Sequence, residues 1–283
     1  MMLWELAPHS DAANTDWMTN NATPVVFVHG LWLHTDSWLP WVQLFTEAGY
    51  AASNPGWPGD SSTVAETNSR PERLAGVSID QVNDHYAALI GALPQKPIVI
   101  GHSFGGLIAQ KLLGLGLAAG AIALDPAQIR GVLPLPFAQL QSALPVLGNP
   151  ANYKRAVPLT KKQFHAGFAN AVSQAESDAL FDKYAIPAPG RPLFEAAFAN
   201  FNPRTAARVK LEAERGPLLI TGGGKDRTVP EVVSRAAHKL YRNSKSVSEY
   251  KVFPDRGHSL AIDSGWREVA DASLSWLRSK GLN

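Results

Sequence analysis

Lys96-Pro97-Ile98-Val99-Ile100-Gly101-His102-Ser103-Phe104-Gly105-Gly106-Leu107-Ile108-Ala109-Gln110 is the stretch that decides how this chain folds. Its first part is a short β-branched run, which reads as a buried strand. Its last part has helical spacing and good helix formers. Between them stands a serine with a glycine two residues away on either side. A strand that turns straight into a helix has room for small neighbours only, so the pattern describes a nucleophile elbow. Such a turn lifts Ser103 Oγ clear of the sheet edge. The free N–H groups and positive end of the helix then face the place where an oxyanion would form.

A nucleophilic serine needs a base and an acid, and the downstream chain offers both. Residues 216–224 read as a buried strand running into a glycine turn, and Asp226 follows directly. A helix over 231–241 and a strand over 247–253 come next, with His258 just beyond in Asp255-Arg256-Gly257-His258. Serine, acid and histidine thus each follow a predicted strand. His258 would take the proton of Ser103, and Asp226 would fix the imidazole tautomer. Asp125 is a rival acid, because it lies at the end of the predicted strand 120–126 after the elbow helix; Asp255 is a weaker one, lying three residues from His258. Upstream, Pro24-Val25-Val26-Phe27-Val28 reads as a strand that ends in His29-Gly30. The oxyanion donors are assigned to the backbone N–H groups of Leu31 and Phe104.

With these four motifs in order, the chain resembles the α/β-hydrolase superfamily over nearly its whole length. It is most similar to the compact bacterial serine esterases and lactonases with a helical cap. The resemblance implies an α/β fold, a mainly parallel sheet flanked by helices, with the cap inserted in it. Strands alternate with helices over 1–130 and 205–283, the expected core. Residues 131–204 break the alternation, carry nine prolines and show no convincing strand, so they are expected to form the cap. Helical pieces are expected over 159–172, 174–184 and 192–201.

Within that family a serine at position 103, where dehalogenases and epoxide hydrolases carry aspartate, implies acyl-enzyme chemistry on a small, partly apolar ester, lactone or thioester. Trp32, Trp57, Phe137, Phe168 and Leu260 are the expected substrate contacts. Most other cap aromatics are expected to seal the cap onto the core. His29 is expected to orient the oxyanion loop and His102 to pack beside the elbow, with His34 and His165 at the surface by default. Two alternatives stay open: a carbon–carbon bond hydrolase or other non-ester activity on the same scaffold, and a small-molecule receptor with little turnover. Rapid turnover of simple esters separates them from the first reading.

Composition limits the field further. The chain has 283 residues, 45% of them apolar and 18% charged, with a formal net charge of +2. That balance, with no basic run, gives no reason to expect a nucleic acid partner. The absence of cysteine excludes disulfides and thiol catalysis. No HExxH or similar spacing implies a metal, and Gly222-Gly223-Gly224-Lys225 fails as a phosphate loop because Leu219 replaces its first glycine. No cofactor is therefore expected. No stretch is apolar enough to span a bilayer, and the N-terminus lacks a basic and apolar leader pattern, so a cytoplasmic location is the default expectation. Residues 1–20 are poorly patterned and read as reduced first strands or a loose arm.

Overall fold

Val25 and Phe27 pack on one side of strand β1 (Pro24–Val28), and Val26 and Val28 on the other; all four are buried. A strand apolar on both faces needs helices above and below it, which is the situation inside a parallel sheet. The computed structural model describes residues 22–283, so the expectation for the first twenty residues lies outside it. Beside β1 the sheet holds β2 (Ala51–Ser53), β3 (Ile98–His102) and β4 (Gly120–Leu124). A separate ribbon pairs β5 (Ala156–Val157) with β6 (Ala188–Pro189), and the main sheet ends with β7 (Leu218–Gly223) and β8 (Ser248–Phe253). Among the described residues the main sheet has six strands in the order β2-β1-β3-β4-β7-β8, every neighbour parallel. The chain runs outward from β1 to β2, then returns to the other side of β1 for β3. The crevice beyond the ends of β1 and β3 is therefore a topological switch point, where open α/β sheets hold their ligands.

The helices follow in chain order as α1 (Leu39–Glu47), α2 (Val64–Ser69), α3 (Ile79–Gly91), α4 (Phe104–Gly114), α5 (Phe137–Leu147), α6 (Lys161–Gln163), α7 (Gln174–Tyr184), α8 (Arg191–Ala197), α9 (Glu231–Lys239) and α10 (Trp266–Ser279). One core packs α3, α4 and α9 against Val26, Val28, Val99, Ala121 and Ile220. The other packs α1 and α10 against Val25, Phe27, Ile98, Ile100 and Ile122. Phe27 stacks on Trp38 at 4.9 Å, and Trp38 meets Trp41 edge-on at 5.2 Å, which anchors α1 on the sheet. Helix α3 begins with a full capping box, Ser78 and Gln81 each accepting the other's backbone N–H.

Between β4 and β7 the chain departs from the expectation of helices alone. Val157 pairs with Ala188 and Ala156 with Pro189 in the short antiparallel ribbon. Pro189 fits because a two-residue ribbon leaves edges on which a missing N–H is not needed. Helix α5 is also unexpected from the sequence, since Pro145 lies inside it. Leu33, Phe164, Phe168, Ala169 and Tyr184 form a third, smaller core. This segment is bonded to the loop after β1 by the backbone. Ile186 N–H donates to Trp32 O at 3.1 Å, and His34 N–H donates to Tyr184 O at 2.9 Å. The Trp32 indole N–H adds a bond to Val157 O at 3.0 Å.

The glycines around the elbow are forced by contact. A Cβ on Gly105 would stand 2.0 Å from Val28 O, and one on Gly101 would stand 2.0 Å from Gly105 O. Both obstacles are backbone atoms, so relief means parting α4 from the sheet. Gly105→Ala should therefore cost at least about 3 kcal/mol, a fall in Tm of roughly 6–12 °C by thermal unfolding. Gly116→Ala, where φ is +74° but nothing lies within 4 Å, should cost only about 1 kcal/mol.

Candidate active site

Ser103 lies between β3 and α4 with φ 56° and ψ −120°, a conformation in which a side chain is strained. Four backbone hydrogen bonds hold it there. Its N–H donates to Leu124 O at 2.9 Å, and its carbonyl accepts from Gly106, Leu107 and Ala127. Gly30 backs the serine closely, since a Cβ there would stand 2.7 Å from Ser103 Cβ. Among the described residues, neither the Phe104 nor the Leu31 N–H donates a hydrogen bond to another protein group. Phe104 is the first residue of α4, where a helix N–H has no internal partner.

His29 holds the turn behind the serine in place. Its Nδ1 contacts Gly30 O at 2.8 Å and its Nε2 contacts Asp60 Oδ2 at 2.9 Å. The Trp57 indole N–H donates to His29 O at 3.1 Å, which ties the loop after β2 to the same turn. His34 differs from the expected surface placement: it is fully buried, with Nε2 3.0 Å from Ser61 O.

His258 opens a short 3₁₀ turn after β8, and Asp226 sits in the loop after β7. Nδ1 of His258 is 2.6 Å from Asp226 Oδ2, and both side chains are wholly buried. Asp226 Oδ1 accepts the N–H groups of Thr228 and Val229, each at 2.7 Å. The other imidazole nitrogen, His258 Nε2, is buried with no partner among the described residues. Its ring meets Phe168 edge-on at 4.9 Å and lies 4.6 Å from His102, the residue before Ser103.

Asp125 joins this pair from the end of β4, again with a positive φ, 42°. Its Oδ1 accepts from Thr221 Oγ1 at 3.1 Å and its Oδ2 from Gly223 N–H at 3.0 Å. Atoms of Asp125, Asp226 and His258 lie within 4.8 Å of one another, a spacing a metal ion could use. The direct 2.6 Å contact between Nδ1 and Oδ2 instead fits a proton between them. Two carboxyl groups so close and so buried cannot both ionise. Burial and the neighbouring Asp226 charge push Asp125 well above the usual carboxylate range. Burial also raises Asp226, to about 7, against hydrogen bonds from Asp125, Val229 and Thr228. Burial lowers His258 to about 4. The imidazole is thus neutral at ordinary pH and free to accept a proton at Nε2. His102 is held neutral by burial too.

A cavity of about 120 Å³ opens on Ser103. It has room for roughly four water molecules. Trp32 and Phe104 line it from the core. Leu135, Leu140, Leu147 and Leu193 line it from the segment between β4 and β7, with Gln128 and Gln139 as polar groups. Of the five expected substrate contacts only Trp32 lies on this lining. Phe168 is buried behind it against His258. Trp57 packs in the core on His29, because its indole N–H is spent on the His29 carbonyl. Leu260 is buried in the core beneath α10, and Phe137 is 80% exposed, since the face of α5 that carries it turns outward. A larger groove, about 900 Å³, lies away from the serine between Asn83, Lys111, Arg130 and residues 208–213. It is open and cationic and holds no candidate nucleophile.

The raised Asp125 fixes a sign for stability. A carboxyl whose folded pKa lies above its unfolded value stabilises most at low pH, and this contribution is lost as pH rises from about 4 towards the folded value. Asp125→Asn, which does not titrate, should gain on the parent as pH increases. Tm measured from pH 5 to pH 8 should fall less steeply for the variant.

Comparison with known proteins agrees with this architecture. The alpha/beta hydrolase family profile matches residues 25–272. The fold is similar to that of a methylesterase from Arabidopsis, at 20% identity and a TM-score of 0.62, over 91% of this chain and 99% of the other. It is similar to the Paleococcus ferrophilus monoacylglycerol lipase, at 21% identity and a TM-score of 0.63, over 92% and 96% of the two chains. A pyrethroid hydrolase from Sphingobium faniae gives 15% identity and a TM-score of 0.64, over 93% and 100%. No curated protein sequence matches this chain significantly. The profile spans most of the described residues and the fold agrees with it: this chain belongs to the alpha/beta hydrolase family.

Proposed function

We propose that the chain is a serine hydrolase that cleaves a carboxylic ester, lactone or thioester of a small, partly apolar substrate. The observation that carries this reading is the buried His258–Asp226 contact, with Nε2 left unpartnered among the described residues and the ring 4.6 Å from His102, the residue before a strained serine. In this reading His258 Nε2 takes the proton of Ser103 as Oγ attacks the carbonyl carbon. Asp226 keeps the Nδ1 proton in place and stabilises the imidazolium. The N–H groups of Leu31 and Phe104, which have no other partner among the described residues, hold the oxyanion. Each is worth a few kcal/mol, about 10²-fold in rate. The imidazolium then protonates the leaving alcohol or thiol, and in the second half-reaction it activates water against the acyl-enzyme.

Asp125 has a supporting part in this scheme. Protonated, it donates to Asp226 and leaves that group as the acceptor for the imidazole. The segment between β4 and β7 acts as a cap, because its leucines form the apolar wall opposite Ser103. With the cap as it stands, the cavity admits a short acyl group.

The test is turnover of p-nitrophenyl esters from acetate to octanoate. Hydrolysis should peak at the short end, and Ser103→Ala should remove at least about 10⁴-fold of it without loss of fold. Near-native turnover by Ser103→Ala would sink the assignment. Asp226→Asn should lose about 10⁴-fold, whereas Asp125→Asn should stay within about tenfold of the parent. The opposite ranking would make Asp125 the acid.

A further inference from the structure

Leu133, Phe137 and Phe201 are 80%, 80% and 84% exposed, and Leu135, Leu144 and Phe198 are exposed beside them. Single apolar residues on a surface are ordinary, but a cluster of this kind marks a contact surface. The members are held together. Asn200 accepts the Gly131 N–H at 2.7 Å and donates to Val132 O at 2.8 Å, which sets residues 198–201 against the approach to α5. Phe137 and Leu144, seven residues apart, share one face of α5. Leu135 belongs both to this surface and to the lining of the Ser103 cavity, so the patch reaches the cavity.

The charge around it is one-sided. Residues 131–153 carry no charged side chain at all. Residues 126–175 hold five lysines and arginines and none of the chain's 24 carboxylates. Lys154, Arg155, Arg204 and Arg227 are exposed at the borders, and none of them is in an ion pair among the described residues. The carboxylate of Glu195, in α8, is already taken by Arg191 at 2.8 Å. A second copy of the chain is a poor occupant. A two-fold interface would set these cations against their own equivalents with no carboxylate to meet them. An apolar surface bordered by unpaired cations instead complements a bilayer, with acyl chains beneath anionic headgroups.

We propose that this face docks on a lipid–water interface bearing anionic headgroups, and that the Ser103 cavity opens onto the lipid when it does. Leu133, Phe137, Leu144 and Phe201 enter the acyl boundary while the bordering cations meet the headgroups. The consequence for substrate class, esters dissolved in lipid, rests on the hydrolase reading above; the docking itself rests on the surface alone.

Ser103→Ala protein separates the two. Sedimented with vesicles of phosphatidylcholine mixed with phosphatidylglycerol, it should bind, more weakly to phosphatidylcholine alone, and less as salt is raised. Adding Leu133→Asp and Phe201→Asp should weaken binding about tenfold or more. The same two changes in the Ser103 protein should leave turnover of a soluble ester unchanged, since neither residue lines the cavity. Absence of vesicle binding would overturn the proposal, as would equal binding by the aspartate variant. A dimer in light scattering that the aspartate changes dissolve would assign the face to a second copy instead. Failure of ester turnover would count against the hydrolase reading and leave the vesicle result standing.

Discussion

Helix α4 can start one residue after β3 only because two stretches of backbone meet with no side chain between them. Gly105 lies against the Val28 carbonyl and Gly101 against Gly105 itself, at distances a Cβ would reduce to 2.0 Å. That contact fixes where α4 points, and so where its unpaired N–H groups point. It also leaves Ser103 with a positive φ that four hydrogen bonds must maintain. The His-Gly turn can approach the serine for the same reason, Gly30 having no Cβ to collide with it. Strain here is not incidental: a relaxed serine would lie along the strand or the helix, with its oxygen bonded to backbone.

The second constraint is dryness. Asp125, Asp226 and His258 are all buried, so each pays for charge unless a partner supplies a proton or accepts one. The solution is a graded set. Asp125 is pushed well above the usual carboxylate range, Asp226 collects two backbone N–H groups and the imidazole, and His258 stays neutral. Every acceptor but one is satisfied within the set. The exception is His258 Nε2, left over on the side of the ring away from Asp226. An unsatisfied buried nitrogen costs stability, and it is the atom a proton-transfer site would leave open.

The parts of this arrangement that were legible in the sequence are those fixed by local chain geometry. Ser103, Asp226 and His258 each lie in a loop after a predicted strand, beside Gly101, Gly224 and Gly257, and a mainly parallel sheet needs nothing beyond alternation with helices. His29 reads as structural through the family resemblance. What was not legible depends on packing between distant segments. Trp57 and Leu260 look like pocket residues by position, yet one is drawn into the core by an indole bond to a carbonyl across the sheet, the other by α10. Phe137 lies on the exposed face of α5, a helix that runs through Pro145 and that local rules do not favour. The leucines that do line the cavity carry no motif, since any apolar residue of suitable size serves there.

The two edges of the proposed cap are held very differently, and this bears on how a substrate reaches Ser103. Residues 184–186 are joined to the loop at 32–34 by two backbone hydrogen bonds, with the Trp32 indole bonded to Val157 besides. Trp32 itself sits at φ 65°, so that loop has little freedom to follow a moving cap. Displacing this edge would drag the Leu31 N–H away from the serine. Helix α5, at the opposite edge, meets the core through side chains: Ser142 to Arg227 O at 3.2 Å, and Arg227 to Gln141 at 3.2 Å. Such bonds exchange with water at small cost. Opening by α5 therefore leaves the oxyanion donors in register, whereas opening at the other edge breaks them. The edge that can yield is also the one that carries the exposed apolar residues.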